Sequence, residues 1–379
     1  MCGDELERSL ALRPEQQKVL RAIRRCRTAE LGGHLDVCEG CGYERPAYNS
    51  CRNRHCPKCQ ALDQHRWLER RRQRILPVHH FHVVFTLPAE LRPVVAMNRR
   101  ALFALLFATA PASLLELGRD PRRLGGELGI SAVLHTWRRD LGFHPHLHCV
   151  VTGGGLDDGG RWRSTRPGFL FPVRVLGKLL RGKFLAGLRA LHARGAIVVP
   201  TSAADARAFE ELLDRCYQKR WVVYSKPPFG GADAVFSYIG RYTHRIGISN
   251  ARILDVSQRA VVFRTRFPRT ASLPPRIFLT RFLSHVLPPG FVRIRHYGLL
   301  ASGNVRDRLA QAQRVLVPSC SDAPVPTVVV DGVRDQEDEP LFVRLYRELT
   351  GIDLRVCPRC DGALRPHPLP TTAQERAPP

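Results

Sequence analysis

The residues best suited to chemistry sit in two short strings. His144-Pro145-His146-Leu147-His148 carries three imidazoles at alternate positions and runs into the apolar Cys149-Val150-Val151. Alternation of this kind is a strand pattern, in which residues i, i+2 and i+4 share one face. Imidazoles converging from a rigid strand are ligands for a divalent ion. The second string, Tyr238-Ile239-Gly240-Arg241-Tyr242, has two phenols four residues apart. On a helix those positions are neighbours on one face. An ion that polarises a phosphate, facing two phenols able to attack it, suits cleavage and rejoining of a DNA strand. Each pattern also has plain structural uses, since alternating histidines line solvated strands or structural zinc sites and paired tyrosines pack cores. Their coexistence in a very basic chain favours chemistry.

The 379 residues include 59 Lys and Arg against 34 Asp and Glu, a net charge of +25. The isoelectric point is about 10.5. Arginine dominates the positive charge, and its planar fork grips phosphate bidentately and stacks on bases. A surplus spread over all regions fits a polyanionic partner better than a local targeting signal.

The chain has 12 cysteines, and its start, Met1-Cys2-Gly3-Asp4-Glu5, lacks a signal-peptide pattern. In a long chain expected in the cytoplasm, CxxC pairs read as metal sites rather than disulfides. Cys38-x2-Cys41 and Cys56-x2-Cys59 are two knuckles, together the signature of a zinc ribbon closing one tetrahedral structural site. Cys26, His34, Cys51 and His55 lie close by as a candidate second site of two thiolates and two imidazoles, or as packing and hydrogen-bonding residues. A third pair, Cys357-Pro358-Arg359-Cys360, has no obvious second half; it either borrows ligands from elsewhere or binds nothing. After the first two knuckles, residues 64–74 read as a basic helix able to lay Arg66 and Arg70 along phosphates.

The elements that must position these groups follow from periodicity and breakers. Residues 1–25 are expected to be helical, and 80–86 a strand ending before Pro88. His80 and His82 alternate there and compete with the later triplet as a metal pair. Helices are expected to about Leu117. The most apolar stretch, Ala101 to Leu115, is interrupted by Pro111 and shorter than the ~20 residues a bilayer needs, so it reads as a buried helix and no membrane is expected. Ile130–Trp137 and Phe143–Thr152 read as antiparallel strands, the second ended by Gly153-Gly154-Gly155. Helices are expected over 175–220, a strand at Trp221–Tyr224, the tyrosine helix over Ala234–His244, and sheet over 251–266. Interleaved helices and hairpin-like strands predict an α+β fold with an antiparallel sheet. Three segments are expected: a zinc-binding, DNA-recognition domain over 1–75, a catalytic domain over 76–314, and 315–379 with a linker (Ser319–Pro340), a short helix, the third knuckle and a disordered tail. Trp137, Trp162 and Trp221 are candidate stacking platforms for bases, or core residues.

Longer strings carry a resemblance. They include Leu31-Gly32-Gly33-His34, Asn49-Ser50-Cys51-Arg52-Asn53-Arg54-His55-Cys56-Pro57-Lys58-Cys59-Gln60, the histidine string, Phe229-Gly230-Gly231, Tyr238 through Asn250, and Phe291-Val292-Arg293-Ile294-Arg295-His296-Tyr297-Gly298. In this order, over roughly residues 16–310, the chain resembles the HUH-class two-tyrosine transposases of bacterial rolling-circle insertion sequences, which carry an N-terminal zinc-binding domain. The resemblance implies that His146 and His148 are the paired metal ligands and that Tyr238 and Tyr242 are nucleophiles. His144, His135 and Gln258 stay open as the third ligand. It further implies structural Zn²⁺, a catalytic Mg²⁺ or Mn²⁺, Arg241 and Arg245 beside the phenols, and single-stranded transposon ends and target as partner. The expected product is a 5′-phosphotyrosine with a free 3′-OH. Two other readings are a plasmid replication initiator or relaxase of the same chemistry, and a catalytically inactive zinc-dependent DNA-binding protein. The knuckles joined to the tyrosine helix argue against the first, and intact His146, His148, Tyr238 and Tyr242 against the second. Tyr217, Tyr224 and Tyr297 are the next candidates for the nucleophile.

Overall fold

The computed structural model of the chain describes residues 10–72, 74–200, 205–226, 234, 240, 247–266, 268–316 and 340–369. Its helices are α1 (Pro14–Arg25), α2 (Ala61–Arg72), α3 (Arg92–Met97), α4 (Arg99–Arg119), α5 (Val173–Ala193), α6 (Ala206–Gln218), α7 (Pro275–Leu283), α8 (Ala310–Leu316) and α9 (Leu341–Thr350). The strands are β1 (Gly33–Cys38), β2 (Glu44–Tyr48), β3 (His80–Thr86), β4 (Glu127–Trp137), β5 (Phe143–Leu156), β6 (Trp162–Ser164), β7 (Val223–Lys226), β8 (Ile253–Val256), β9 (Val261–Arg266), β10 (Arg269–Leu273), β11 (Ile294–Gly298) and β12 (Leu364–Pro368). The fold is α+β with antiparallel sheets, as the interleaving predicts. Two compact units emerge: Met1–Glu15 with Gln64–Asp322, and Gln16–Asp63 with Ala323–Pro379. This division does not follow three consecutive segments. The third knuckle belongs to the same unit as the first two.

The smaller unit is organised by a three-stranded sheet ordered β12-β1-β2. The central strand β1 pairs Leu35 with Pro46 on one side and with His367 on the other. Asp36 is buried on this strand, and Arg45 of β2 caps its carboxylate through Nη2 at 2.8 Å and Nε at 3.2 Å. A buried carboxylate left without such a partner would be strongly destabilising.

The larger unit is built on a six-stranded sheet ordered β11-β4-β5-β3-β7, with β6 attached to β5. Period-two alternation sorts its side chains cleanly. On one face Phe81, Val83 and Phe85 of β3, Ile130, Ala132 and Leu134 of β4, and Leu147, Cys149 and Val151 of β5 join the main core. Leu102, Phe103 and Phe107 of α4 and Leu176, Leu180 and Phe184 of α5 cover it. Burial of each such side chain contributes about 1.5–3 kcal/mol. The other face carries the histidines. Part of it is covered by α2, whose Trp67 and Leu68 pack with Val133, Val150 and Ile294. A separate three-stranded sheet, β10-β9-β8, packs Phe263 against Phe278 of α7 with ring centroids 5.7 Å apart.

Two expectations fail for legible reasons. Pro111 does not interrupt its helix, because α4 runs unbroken from Arg99 to Arg119. Proline removes one backbone donor, but the helix is clamped into the core by Leu106, Phe107, Ala110 and Leu114, which offsets that cost. It is the one described helix long and apolar enough to cross a membrane, and most of it is buried inside the larger unit. Nor do the three glycines end β5, which continues to Leu156. They are needed because other chain segments cross there: a Cβ on Gly153 would lie 2.5 Å from the His79 carbonyl oxygen, and one on Gly155 2.7 Å from the Gly126 carbonyl carbon. The tyrosine helix, apart from Ala234 and Gly240, and the linker and tail, apart from Pro340, lie outside the described residues.

Candidate functional site

Three imidazoles converge on the histidine face. His146 and His148 come from β5 and His135 from β4, and one ring nitrogen of each lies within 4.8 Å of the others. The register explains the set. His135 stands directly opposite His146 across the β4–β5 ladder, and Val133 opposite His148. Residues facing each other across a ladder are about 4.5–5.5 Å apart, whereas His144 and His148 are separated by four residues, about 13 Å of strand. Three alternate histidines of one strand therefore cannot converge on one ion, but two plus a cross-strand neighbour can. His144 is accordingly not in the group. Arg92 donates to its Nδ1 at 3.1 Å instead. Gln258 is exposed in the turn between β8 and β9.

The surroundings fix ring orientation and charge. The Nδ1–H of His146 donates to the His144 carbonyl at 2.7 Å, which leaves Nε2 with the lone pair. Nδ1 of His148 meets Nε2 of His82 at 2.7 Å, with the two rings nearly coplanar at 6° and their centroids 5.0 Å apart. His82 is thus a partner of the group and not a member of it, and His80 bonds the Val78 carbonyl through Nδ1. Burial pushes the His146 pKa down to about 4 and holds those of His135 and His148 well below the ordinary histidine value. Their mutual repulsion and the Arg293 cation add to this for His135 and His148. Neutral imidazole is the form that ligates a metal. Arg293 was not singled out from sequence. It is buried, its Nε donates to the Leu134 carbonyl at 3.1 Å, and its guanidinium lies 5.3 Å over the Trp137 ring.

The remaining candidates divide by position. Trp137 stacks on His135 at 4.7 Å, beside the histidine group. Trp221 is core, with Nε1 donating to the Cys216 carbonyl, and Trp162 packs on a small cluster with Leu156. Arg66 and Arg70 are exposed on α2, one turn apart. Tyr238, Tyr242, Arg241 and Arg245 lie outside the described residues. Gly240, midway between the tyrosines, meets Leu68 of α2 so closely that a Cβ there would be 2.7 Å from Cδ2. Tyr297 packs against the core on the face opposite the histidines, and burial raises its pKa to about 12. Tyr217 is exposed under Arg181, and Tyr224 is exposed on the edge strand β7.

In the smaller unit the cysteines form two groups of four, and neither has the expected membership. Cys38 and Cys41 do not join Cys56 and Cys59; they face Cys357 and Cys360. Cys56 and Cys59 group with Cys26 and Cys51. His34 and His55 belong to neither group: His34 lies 3.3 Å from Asp36, and His55 bonds Asn53. Cys26 and Cys51 flank the β1–β2 hairpin, and the Cys51 N–H points at the Cys26 sulfur at 3.5 Å. Burial pushes the Cys26 thiol up, but this N–H and the neighbouring thiols outweigh it and lower its pKa. Four sulfurs gathered at this spacing suit tetrahedral Zn²⁺.

An antiparallel sheet presenting clustered histidines, in a chain that also gathers two groups of four thiols, offers sites for metal ions, and comparison with known proteins supplies the class. Residues 129–308 match the family profile described as "Putative transposase", and residues 1–87 match that of the "Transposase zinc-binding domain". The chain is 43% identical over 360 residues to "Putative transposase y4qJ" of Sinorhizobium fredii, covering 92% of this chain and 88% of that one. It is 27% identical over 336 residues to the "Transposase for insertion sequence element IS801" of Pseudomonas savastanoi pv. phaseolicola, covering 84% and 78% respectively. No solved structure matches. The chain belongs to the HUH transposases of the IS91 family.

Proposed function

We propose that this transposase nicks and rejoins single-stranded DNA in rolling-circle transposition through 5′-phosphotyrosine links. In this reading His135, His146 and His148 hold the catalytic ion, and Tyr238 and Tyr242 attack. The convergence of the three neutral imidazoles on one sheet face is the observation that supports it most. A bound Mn²⁺ or Mg²⁺ would neutralise and orient the scissile phosphate, and an all-imidazole set suits Mn²⁺ better than Mg²⁺, which prefers oxygen. The phenol oxygen of one tyrosine forms the new bond to phosphorus as the bond from phosphorus to the 3′ oxygen breaks. The phenol proton is lost to solvent and the departing 3′ oxygen takes one up. A phenol pKa near ~10 disfavours this unless cations stand by, the role given to Arg241 and Arg245. The covalent link conserves bond energy, so rejoining needs no ATP. Two tyrosines permit two successive transfers.

Exposed Arg66 and Arg70 would follow the strand's phosphates, and Trp137 would stack a base beside the ion. Cys26, Cys51, Cys56 and Cys59 would hold structural zinc. As an enzyme of DNA it would work in the cytoplasm, on the nucleoid. The deciding test is incubation with labelled single-stranded end DNA and Mn²⁺, scored for a covalent protein–DNA band. Either single Tyr→Phe variant should retain some adduct, and Tyr238→Phe/Tyr242→Phe together should retain none. A 5′-linked adduct surviving in the double variant would show that the nucleophile lies elsewhere.

A further inference from the structure

We infer that Cys38, Cys41, Cys357 and Cys360 bind a second zinc ion, and that this ion fastens the C-terminal segment into the smaller unit as a structural part of it. The four sulfurs lie within 4.8 Å of one another, with Cys38 and Cys360 3.4 Å apart and Cys41 and Cys357 3.6 Å apart. A tetrahedron with Zn–S bonds of about 2.3 Å has sulfurs about 3.8 Å apart, whereas a disulfide needs about 2.05 Å. All four are free thiols.

The two half-sites are built alike from unlike sequences, Cys38-Glu39-Gly40-Cys41-Gly42-Tyr43 and Cys357-Pro358-Arg359-Cys360-Asp361-Gly362. In the first, the Gly42 N–H donates to the Cys38 carbonyl and the Cys38 N–H to that of Tyr43, both at 2.9 Å. In the second, the Asp361 N–H donates to the Cys357 carbonyl at 3.1 Å and the Cys357 N–H to that of Gly362 at 2.8 Å. Gly42 and Asp361 hold the same place in each loop, and both are left-handed, with φ of 69° and 56°. Aspartate tolerates that region better than most residues. The Arg359 N–H is aimed at the Cys357 sulfur at 3.4 Å. Gly362 makes room at the centre, since a Cβ there would lie 3.3 Å from both the Cys360 and Cys38 sulfurs.

Packing alone does not explain why this segment is held. The buried apolar cluster at the site consists of Cys38, Cys357 and Leu364 with Tyr43 half-buried. A core so small needs a covalent or metal staple. Both family profiles stop short of the third knuckle, ending at residues 87 and 308. The inference does not depend on the DNA chemistry.

The test uses the full-length protein. Metal analysis of wild type should give two zinc ions per chain, falling to one in Cys357→Ser/Cys360→Ser and to one in Cys51→Ser/Cys59→Ser. Should the first variant fail to fold, footprinting of wild type with N-ethylmaleimide and mass spectrometry decides. Cys357 and Cys360 should react at least ten-fold more slowly with zinc bound than after chelation. Limited proteolysis should release the segment around 340–369 only after chelation. Equal reactivity of Cys357 and Cys360 in both states overturns the inference, as does unchanged zinc content in a folded Cys357→Ser/Cys360→Ser variant, or recovery of these thiols as a disulfide.

Discussion

Replacing His82 by Phe separates orientation from ligation at the histidine group. His82 is not one of the three converging residues, but its Nε2 lies 2.7 Å from Nδ1 of His148. For His148 to turn an Nε2 lone pair toward an ion, its Nδ1 must carry the proton, and His82 Nε2 is the acceptor that holds it there. Phenylalanine keeps an aromatic ring in the buried space beside His148 and removes the acceptor. His148 is then free to change tautomer or rotate. Loss of an outer-shell partner typically weakens metal affinity 10- to 100-fold, about 1.4–2.8 kcal/mol. That agrees with the cost of about 1–3 kcal/mol for leaving a buried N–H unsatisfied. The assay is adduct formation on single-stranded DNA across a Mn²⁺ titration, with thermal unfolding to verify the fold. The half-saturating Mn²⁺ concentration should rise 10- to 100-fold, and adduct yield at saturating Mn²⁺ should stay near wild type. A folded His82→Phe protein with unchanged Mn²⁺ dependence refutes the orienting role.

Other outcomes can be checked independently. His135→Ala should raise the Mn²⁺ requirement far more than His144→Ala, and equal effects would undo the assignment of the cross-strand ligand. His80 and His285 are almost fully buried, and burial depresses both to about 4 from 6.5. The unfolded chain therefore takes up their protons below pH 6.5 while the folded chain does not until about pH 4, so stability is full above 6.5 and falls across that window. The slope is about 1.4 kcal/mol per pH unit for each histidine. These two alone should make urea titrations at pH 7.5 and 5.5 differ by about 3 kcal/mol, the other buried histidines add in the same direction, and a flat profile would contradict it. Gly153→Ala should destabilise by about 1–3 kcal/mol in thermal melts, because its Cβ would meet the His79 backbone, and a neutral result would mean that strand can yield. With a net charge of +25, DNA affinity should drop by orders of magnitude between 50 and 200 mM salt. Salt-insensitive binding would exclude phosphate neutralisation as its source.

Much of the site was legible because its logic is local. Alternation in His144 through His148 put the imidazoles on one face, and the strand is where the pattern placed it. What was not legible is register. Nothing within Ile130–Trp137 says which of its residues will face His146, so His135 is one of three open candidates in the sequence, and only the ladder places it opposite His146. The cysteines teach the same lesson. Each CxxC is readable as a half-site, but which halves meet is decided by strand pairing, and β12 pairs with β1 across most of the chain. Nearness in sequence favoured joining Cys38 and Cys41 to Cys56 and Cys59, and the sheet joins them to Cys357 and Cys360. Gly153, Gly154 and Gly155 were read by propensity as a stop, whereas their conformation is set by segments that cross them.

The pairing of β12 with β1 has a consequence in time. A ribosome making about 5–20 residues per second finishes β1 and β2 roughly 300 residues before β12 exists, a delay on the order of 15–60 s. Throughout that interval β1 has one open edge, with unpaired backbone groups that invite association with other chains. Closing so long a loop in an unfolded chain is slow and entropically unfavourable, but the intervening larger unit can fold first and shorten the search. The smaller unit is therefore the last part of the molecule to mature. A chain whose synthesis stops early would carry the six-stranded sheet without a completed smaller unit.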